Sequence, residues 1–272
     1  MPQHHCAVLG DPIEHSLSPV LHRAGYAELG LDWTYDAHRV DEAALAGFLD
    51  GLDDTWQGLS LTMPLKRAVL PLATSVSDRA RAAEAANTLV LERGERVADN
   101  TDIPGAVAAI RERHAGPIST VTILGGGATA TSLGIALIDL GARDVTVLVR
   151  SAERAVPTLE VLGSHPAGAR VTVGDLRTDL VATDLVASTI PAAAQTDDLV
   201  TRCADAGVVF EALYDPWPTP LAAAAGERPL VGGLDLLVHQ AALQFEMFTG
   251  HPAPLAAMRA AGEAALLGQS HR

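Results

Sequence analysis

Residues 120–149 limit what this chain can fold into more than any other stretch. Thr120-Val-Thr-Ile-Leu124 is a short apolar strand, Gly125-Gly-Gly-Ala-Thr-Ala130 a glycine-rich turn, and an apolar helix then runs to about residue 140. Asp144-Val-Thr-Val-Leu-Val149 follows as a second strand. Two strands joined through one helix at this spacing lie parallel, because only a long crossover connects a parallel pair. In that setting Gly125 permits the tight turn, Gly127 lets backbone amides approach a pyrophosphate, and Ala130 lets the helix pack closely. Gly126, Ala128 and Thr129 complete a turn that opens a helix, whose dipole and unpaired amides favour an anion. The spacing predicts a dinucleotide site. Proteins that bind NAD usually carry an acidic residue at the end of the second strand, for the ribose hydroxyls. Here stand Arg150 and Ser151, with Arg154 one turn on. Two guanidiniums suit a 2′-phosphate, so the expected cofactor is NADP(H).

The first half alternates in the same way. Residues 6–10, 33–39 and 57–62 read as strands, with helices over about 20–29 and 42–52 between them, which again means a parallel sheet. In such sheets the C-terminal ends of the strands form the ligand crevice. Ser16 and Ser18 fall there, with Ser18 expected as an N-cap and Pro19 in the first helical turn. Two hydroxyls at a helix N-terminus make a candidate carboxylate site; a plain capped helix is the other reading. Helical stretches are expected over 68–74 and 78–84, then a strand entered through Asn87, a hairpin-like turn over 92–95, and a polar cluster over 99–102. The cluster reads as a turn capping a helix over about 104–113.

The end of the third strand carries Thr62 and Lys66. Every one of the 19 Lys plus Arg residues except Lys66 is arginine. Arginine stays protonated at any accessible pH, whereas an ε-amine can serve as a proton donor or acceptor near neutrality. Lys66 is therefore the candidate proton carrier, against the plainer reading of a surface charge. In the second half, strands are expected over 170–173, 185–188 and 208–213. Ser188-Thr189-Ile-Pro191 reads either as lining on the nicotinamide side or as an ordinary loop. Two helices close the chain, the first over 232–248.

Composition excludes several classes. A net charge of −14 and a pI near 5.0 argue against nucleic acid or an anionic membrane as partner. With 48% hydrophobic and 19% charged residues the chain can bury a real core. Its first residues lack a secretory pattern and no apolar run reaches membrane-spanning length, so a cytoplasmic protein is expected. Cys6 and Cys203 read as buried reduced thiols, and the scattered histidines suggest no metal site.

Gly10-Asp-Pro-Ile-Glu-His-Ser-Leu-Ser-Pro19, Leu61-Thr-Met-Pro-Leu-Lys66, Ala86-Asn-Thr-Leu89, Asp99-Asn-Thr-Asp102, the Gly125 turn, Val149-Arg-Ser151, Tyr214 and residues 233–240 form an ordered set. Over essentially the whole chain, that set closely resembles the shikimate dehydrogenase family. The resemblance implies a two-domain α/β protein. A substrate domain with a mainly parallel sheet would span 1–103 and a Rossmann-like NADP domain 104–232, with C-terminal helices over 233–272 returning to the first domain. It implies reversible NADPH-dependent reduction of 3-dehydroshikimate to shikimate, by a monomer or homodimer. Ser16 and Ser18, with Tyr214, would hold the substrate carboxylate. Thr62, Asn87, Asp102 and Gln240 would bond the ring hydroxyls, and Lys66 with Asp102 would be the catalytic pair. Thr189 and Gly233 join the cofactor set. A quinate or quinate/shikimate dehydrogenase is the nearest alternative, and a non-catalytic ligand sensor on the same scaffold is a more distant one.

This chain departs from the family pattern in three places. Ser60 replaces a usual Asn, which makes one expected contact to a ring hydroxyl either shorter or bridged by water. Val149 replaces the Asn before Arg150, and Thr131 replaces an arginine that contacts phosphate.

Overall fold

The computed structural model describes residues 4–269. The chain forms two compact units, one from residues up to Thr101 and again from Leu237, the other from Asp102 to Leu236.

In the first unit β1 (His4–Gly10), α1 (Ser18–Leu29), β2 (Trp33–Arg39), α2 (Glu42–Asp50) and β3 (Trp56–Leu61) follow the expected alternation. Next come α3 (Leu65–Ala68), β4 (Ser75–Val76), α4 (Asp78–Ala83), β5 (Thr88–Glu92) and β6 (Glu95–Asp99). The sheet order is β2-β1-β3-β5-β6-β4. β1 pairs parallel with β2 and β3, which the crossover connections through α1 and α2 make possible. The expected hairpin is present: β5 and β6 pair antiparallel through Arg93 and Gly94, both at positive φ (51° and 81°), the backbone that a two-residue hairpin turn needs. One face of this sheet buries Ala7, Leu9, Leu45, Leu49, Leu59, Leu61, Leu65 and Leu89 in a single cluster.

The helix expected over 68–74 does not form. α3 stops at Ala68 and Leu70–Leu72 makes one 3-10 turn, because Pro71 has no N–H for a continuing helix. Thr74 instead donates its N–H to Arg96 O at 2.8 Å, which leads the chain into β4.

The second unit holds α5 (Asp102–Arg113), β7 (Thr120–Leu124), α6 (Ala128–Asp139), β8 (Asp144–Val149), α7 (Ala152–Gly163), β9 (Arg170–Asp175) and β10 (Leu185–Ser188). α8 (Asp197–Arg202), β11 (Val208–Glu211), α9 (Pro220–Ala223) and β12 (Leu230–Val231) complete it. All six strands are parallel, in the order β12-β11-β10-β7-β8-β9. Numbered within the unit this is 3-2-1-4-5-6, the doubly wound dinucleotide-binding order, with its switch point between β7 and β10. α5 begins at Asp102, two residues before the expected start at Pro104.

α10 (Gly233–Thr249) leaves the second unit and enters the first, where α11 (Leu255–Gln269) packs along α1. Glycines make these approaches possible. A Cβ on Gly25 would lie 2.7 Å from the Phe245 ring and 3.4 Å from Met258 Cγ, and one on Gly58 would enter the Phe248 ring. Both cysteines are buried, and burial pushes the Cys6 thiol up to about 12 and that of Cys203 to about 11, away from reactive thiolate. Among the described residues no helix is long and apolar enough to cross a membrane.

Candidate active site

In the first unit β1 and β3 end side by side, so the loops that follow share one sheet edge. Thr62 donates its N–H to Leu9 O and Asp11 donates its own to Met63 O, both at 2.9 Å. This close approach needs Gly10: a Cβ there would strike the Thr62 methyl and lie 2.9 Å from Met63 O. Leu65 N then donates to Thr62 O at 2.8 Å, which closes the turn and sets half-buried Lys66 at the second position of α3. Lys66 O accepts from Ala86 N at 2.7 Å, so the lysine backbone is tied to the residue before Asn87.

Asn87 is 2% exposed and sits in a dense network. Its Oδ1 accepts from Thr101 N (2.7 Å) and Thr88 Oγ1 (2.8 Å), while Nδ2 donates to Thr101 Oγ1 (2.9 Å) and Gln240 Oε1 (3.0 Å). The structure thus brings Asn87 and Gln240 together, beside the residue that precedes Asp102. Gln244, one helical turn beyond Gln240, donates Nε2 to Asn87 O and Thr88 Oγ1, both at 3.0 Å. Its Oε1 accepts from Ser60 Oγ at 2.7 Å, and Ser60 accepts from Tyr35 O–H at 2.5 Å. Ser60 is expected from the resemblance to reach a ring hydroxyl by a shorter or water-bridged contact. Its donor goes to Gln244 instead, and the side chain is 4% exposed inside the protein. Sequence reading missed Gln244 and Tyr35; the i, i+4 spacing of Gln240 and Gln244, which puts both on one face of a helix, was the available signal.

Ser16 is half-buried and Ser18 is 4% exposed. The N-cap of α1 is Leu17, not Ser18, because the helix begins one residue early and Pro19 takes its second position. Ser18 N donates to Ser16 Oγ at 3.4 Å, so the Ser16 hydroxyl meets the start of the helix. The segment before Asp102 is held from the other side. Asp99 Oδ1 accepts from Ser77 Oγ and Arg79 Nε, each at 2.6 Å, and Oδ2 accepts from Arg79 Nη2 at 2.8 Å. Asp102 itself is 6% exposed at the first position of α5.

In the second unit the glycine turn follows β7 at the switch point. Gly125 has φ +109°, and a Cβ there would collide with Thr189 Oγ1 and lie 3.2 Å from Ile190 Cγ2. Thr189 stands at the end of β10, with its N–H and hydroxyl both bonded to Leu124 O (3.0 and 2.9 Å). Gly126 packs against α7, where a Cβ would be 2.8 Å from that of Ala155. Gly127 is exposed with nothing within 4 Å of a Cβ position, so its side of the turn is open. Thr158, which sequence reading missed, donates its hydroxyl to Gly126 O at 2.9 Å and meets Thr131 Oγ1 at 2.8 Å, fixing the turn from below. Ala128, Thr129 and Ala130 open α6. The glycine cradle, and a helix start whose N-cap Gly127 brings no capping side chain, fit a pyrophosphate, and exposed Arg150 and Arg154 with half-buried Ser151 at the end of β8 fit a 2′-phosphate.

Tyr214 is half-buried in the loop after β11. That loop hangs on Glu211, fully buried, whose carboxylate accepts from Gln195 Nε2 (2.7 Å), Thr219 Oγ1 (2.8 Å) and Leu213 N (3.0 Å). Burial raises its pKa above the ordinary glutamate value despite these donors. Gly233 opens α10 hard against the same loop, where a Cβ would lie 2.7 Å from Ala212 O.

A parallel sheet in this order, with a glycine turn at its switch point and guanidiniums beyond the second strand, defines a dinucleotide-binding α/β protein. Residues 8–89 match the family described as shikimate dehydrogenase substrate binding domain, and residues 233–261 the one described as shikimate 5'-dehydrogenase C-terminal domain. A shikimate dehydrogenase (NADP(+)) of Thermosynechococcus vestitus is 33% identical, over 95% of this chain and 94% of that protein. The crystal structure of Mycobacterium tuberculosis shikimate dehydrogenase superposes with a TM-score of 0.87 at 38% identity, covering 96% of this chain and 99% of that one. Quinate dehydrogenase from Corynebacterium glutamicum in complex with NAD superposes with a TM-score of 0.84 at 27% identity, covering 96% and 99%. The chain belongs to the shikimate dehydrogenase family.

Proposed function

We propose that this protein catalyses the reversible NADPH-dependent reduction of 3-dehydroshikimate to shikimate, the step its curated relatives are named for. The observation that carries the reading is the convergence of Lys66, Thr62, Asn87 and Gln240 on one framework of the first unit, in a chain whose second unit is built for a dinucleotide. The first unit is the substrate domain, and the second holds NADP(H) through Gly125–Ala130, Arg150, Ser151, Arg154 and Thr189, with Gly233 beside the Tyr214 loop. When bound, NADPH supplies the hydride.

The residues of the chain do the rest. Reducing a ketone leaves an oxyanion that needs a proton, and Lys66 delivers it. Asp102 orients the lysine and takes a ring hydroxyl, together with Thr62, Asn87 and Gln240. Ser16, Ser18 and Tyr214 hold the carboxylate. With a net charge of −14 the protein suits a small-molecule substrate rather than nucleic acid or an anionic membrane, as a cytoplasmic monomer or homodimer.

The test is an assay of purified protein with shikimate and quinate, each against NADP and NAD. Shikimate with NADP is expected to give the highest kcat/KM. Faster turnover of quinate with NAD would assign the chain to quinate oxidation.

Two variants separate the subsites. Ser16→Ala and Ser18→Ala are expected to raise the KM for shikimate several-fold, each loss being about 1 kcal/mol, with kcat nearly unchanged. Unaltered shikimate kinetics in both would make the serines purely structural. Arg150→Ala should raise the KM for NADP by roughly tenfold or more, from a charge-assisted contact of about 1.5–3 kcal/mol, and leave that for NAD much less affected. Equal effects on both cofactors would remove Arg150 from the 2′-phosphate site.

A further inference from the structure

Arg177 lies beside the expected 2′-phosphate site and belongs to none of the residues assigned above. β9 pairs with β8 in a register that sets Val149 opposite Asp175. The residues just past both strand ends, Arg150 on one side and Leu176 and Arg177 on the other, are therefore neighbours. Leu176 N donates to Val149 O at 3.1 Å, and Arg177 Nη2 donates to Arg150 O, also at 3.1 Å.

The turn that carries Arg177 is firmly held. Leu176 is 5% exposed, and its carbonyl accepts from Arg202 Nη2 at 2.8 Å. Arg202 Nη1 also holds Asp179 O at 2.6 Å. Asp175 Oδ1 accepts from Arg177 N at 2.8 Å and faces Arg177 Nε at 3.3 Å, which orients the guanidinium. Asp179 bonds back to Asp175 N at 3.1 Å. Arg177 Nη1 has no partner among the described residues, and the side chain is 67% exposed.

Position 131 offers no cation, because the Thr131 hydroxyl is committed to Gly127 O (3.2 Å) and Thr158. Val149 is 9% exposed and offers no amide. A planar guanidinium braced along one edge and free along the other is well suited to a phosphate.

Resting on the NADP reading above, we infer that Arg177 is a third cation of the 2′-phosphate site, supplied from the turn after the strand beside Arg150. It reads the phosphate with Nη1 while its other edge fixes the backbone that carries Arg150.

Equilibrium binding separates this from a purely structural brace. The probes are adenosine 2′,5′-bisphosphate and 5′-AMP, titrated by calorimetry into wild type, Arg177→Ala, Arg177→Lys, Arg150→Ala and the double variant Arg150→Ala/Arg177→Ala. Arg177→Ala is expected to weaken the bisphosphate about tenfold, with 5′-AMP changed less than about twofold. Arg177→Lys, which keeps the charge, should recover part of the loss. In the Arg150→Ala background, removal of Arg177 should still weaken the bisphosphate several-fold further. No further loss there would reduce Arg177 to a brace for Arg150 and overturn the inference. So would equal weakening of both probes. Wild type that does not prefer the bisphosphate over 5′-AMP would instead overturn the NADP reading itself, a different outcome from a wild type that prefers it and variants that bind like wild type.

Discussion

Lys66→Met is expected to lower kcat by a factor on the order of 10² to 10⁴ with the affinity for NADP(H) preserved, the range that accompanies loss of a general acid or base. Lys66→Arg should lose nearly as much. It keeps a positive charge for the developing oxyanion, but a guanidinium does not release a proton near neutral pH, and its planar fork does not match the point charge of an ammonium. The structure makes the comparison sharp, because the backbone of Lys66 is fixed independently of its side chain. The Thr62–Leu65 turn and the bond from Ala86 N to Lys66 O both survive either substitution. A fully active Lys66→Arg would mean that only charge is needed and that water or another group supplies the proton.

The second large effect is expected at Arg79. Its guanidinium makes two bonds to Asp99, whose side chain is only 10% exposed against 39% for the arginine. Burial pushes the Asp99 carboxyl up, but Arg79, Ser77 and the Asn100 N–H outweigh it and hold the carboxyl below the ordinary aspartate range. Such a depressed carboxylate adds stability above its unfolded pKa, and that stability is lost as pH falls through the folded one. Breaking a buried pair from one side costs about 3–5 kcal/mol. Solvent at the half-exposed arginine brings the expectation for Arg79→Ala to about 2–3 kcal/mol.

The pH dependence carries a sign. In the variant, burial is less fully opposed, so Asp99 takes up a proton at higher pH than in wild type. The stability gap should be widest near about pH 7 and narrow as pH falls through the aspartate range, read from urea unfolding across that interval. A gap independent of pH would mean that the loss does not come from Asp99. Activity should fall as well, because Asp99 O accepts from Asn87 N (3.1 Å) and Asp99 opens the Asn100-Thr101-Asp102 segment.

Much of this architecture was readable because it is written locally. The strands at Trp33–Arg39 and Thr120–Leu124 have the expected bounds, and the glycine turn declared both the parallel sheet and the cofactor class from thirty consecutive residues. The singularity of Lys66 needed only a count. Errors arose where a local preference met a competing partner. Apolar residues favoured a helix over 68–74 until Pro71 and the Thr74–Arg96 pairing ended it. Ser18 looked like a cap, yet Leu17 took that place and Ser16 supplied the hydroxyl.

The hydrogen-bond network around Asn87 and Gln244 was illegible for a different reason. Ser60 meets Gln244 across 184 residues of sequence and Asn87 meets Gln240 across 153, so no window along the chain contains both partners. The fate of Ser60 illustrates the limit. Its identity as a replacement for asparagine was plain from the resemblance, but that its hydroxyl turns inward to Tyr35 and Gln244 depends on how α10 returns to the first unit. Arg177 is similar: its neighbour Arg150 is 27 residues away and becomes one only through the register of β8 and β9.

The most direct test of Lys66 as the proton carrier uses its being the sole lysine in the chain. An amine-directed acylating reagent can modify only Lys66 and the N-terminal amine, and mass spectrometry of peptides resolves the two. Enzyme is labelled with and without saturating shikimate and NADP, and residual turnover is measured at each degree of labelling. The expected result is that turnover falls in proportion to the fraction of Lys66 modified, and that the ligands slow labelling of Lys66 but not of the N-terminus. Enzyme fully acylated at Lys66 that still turns over shikimate at the unlabelled rate would contradict the assignment of Lys66 as the proton donor.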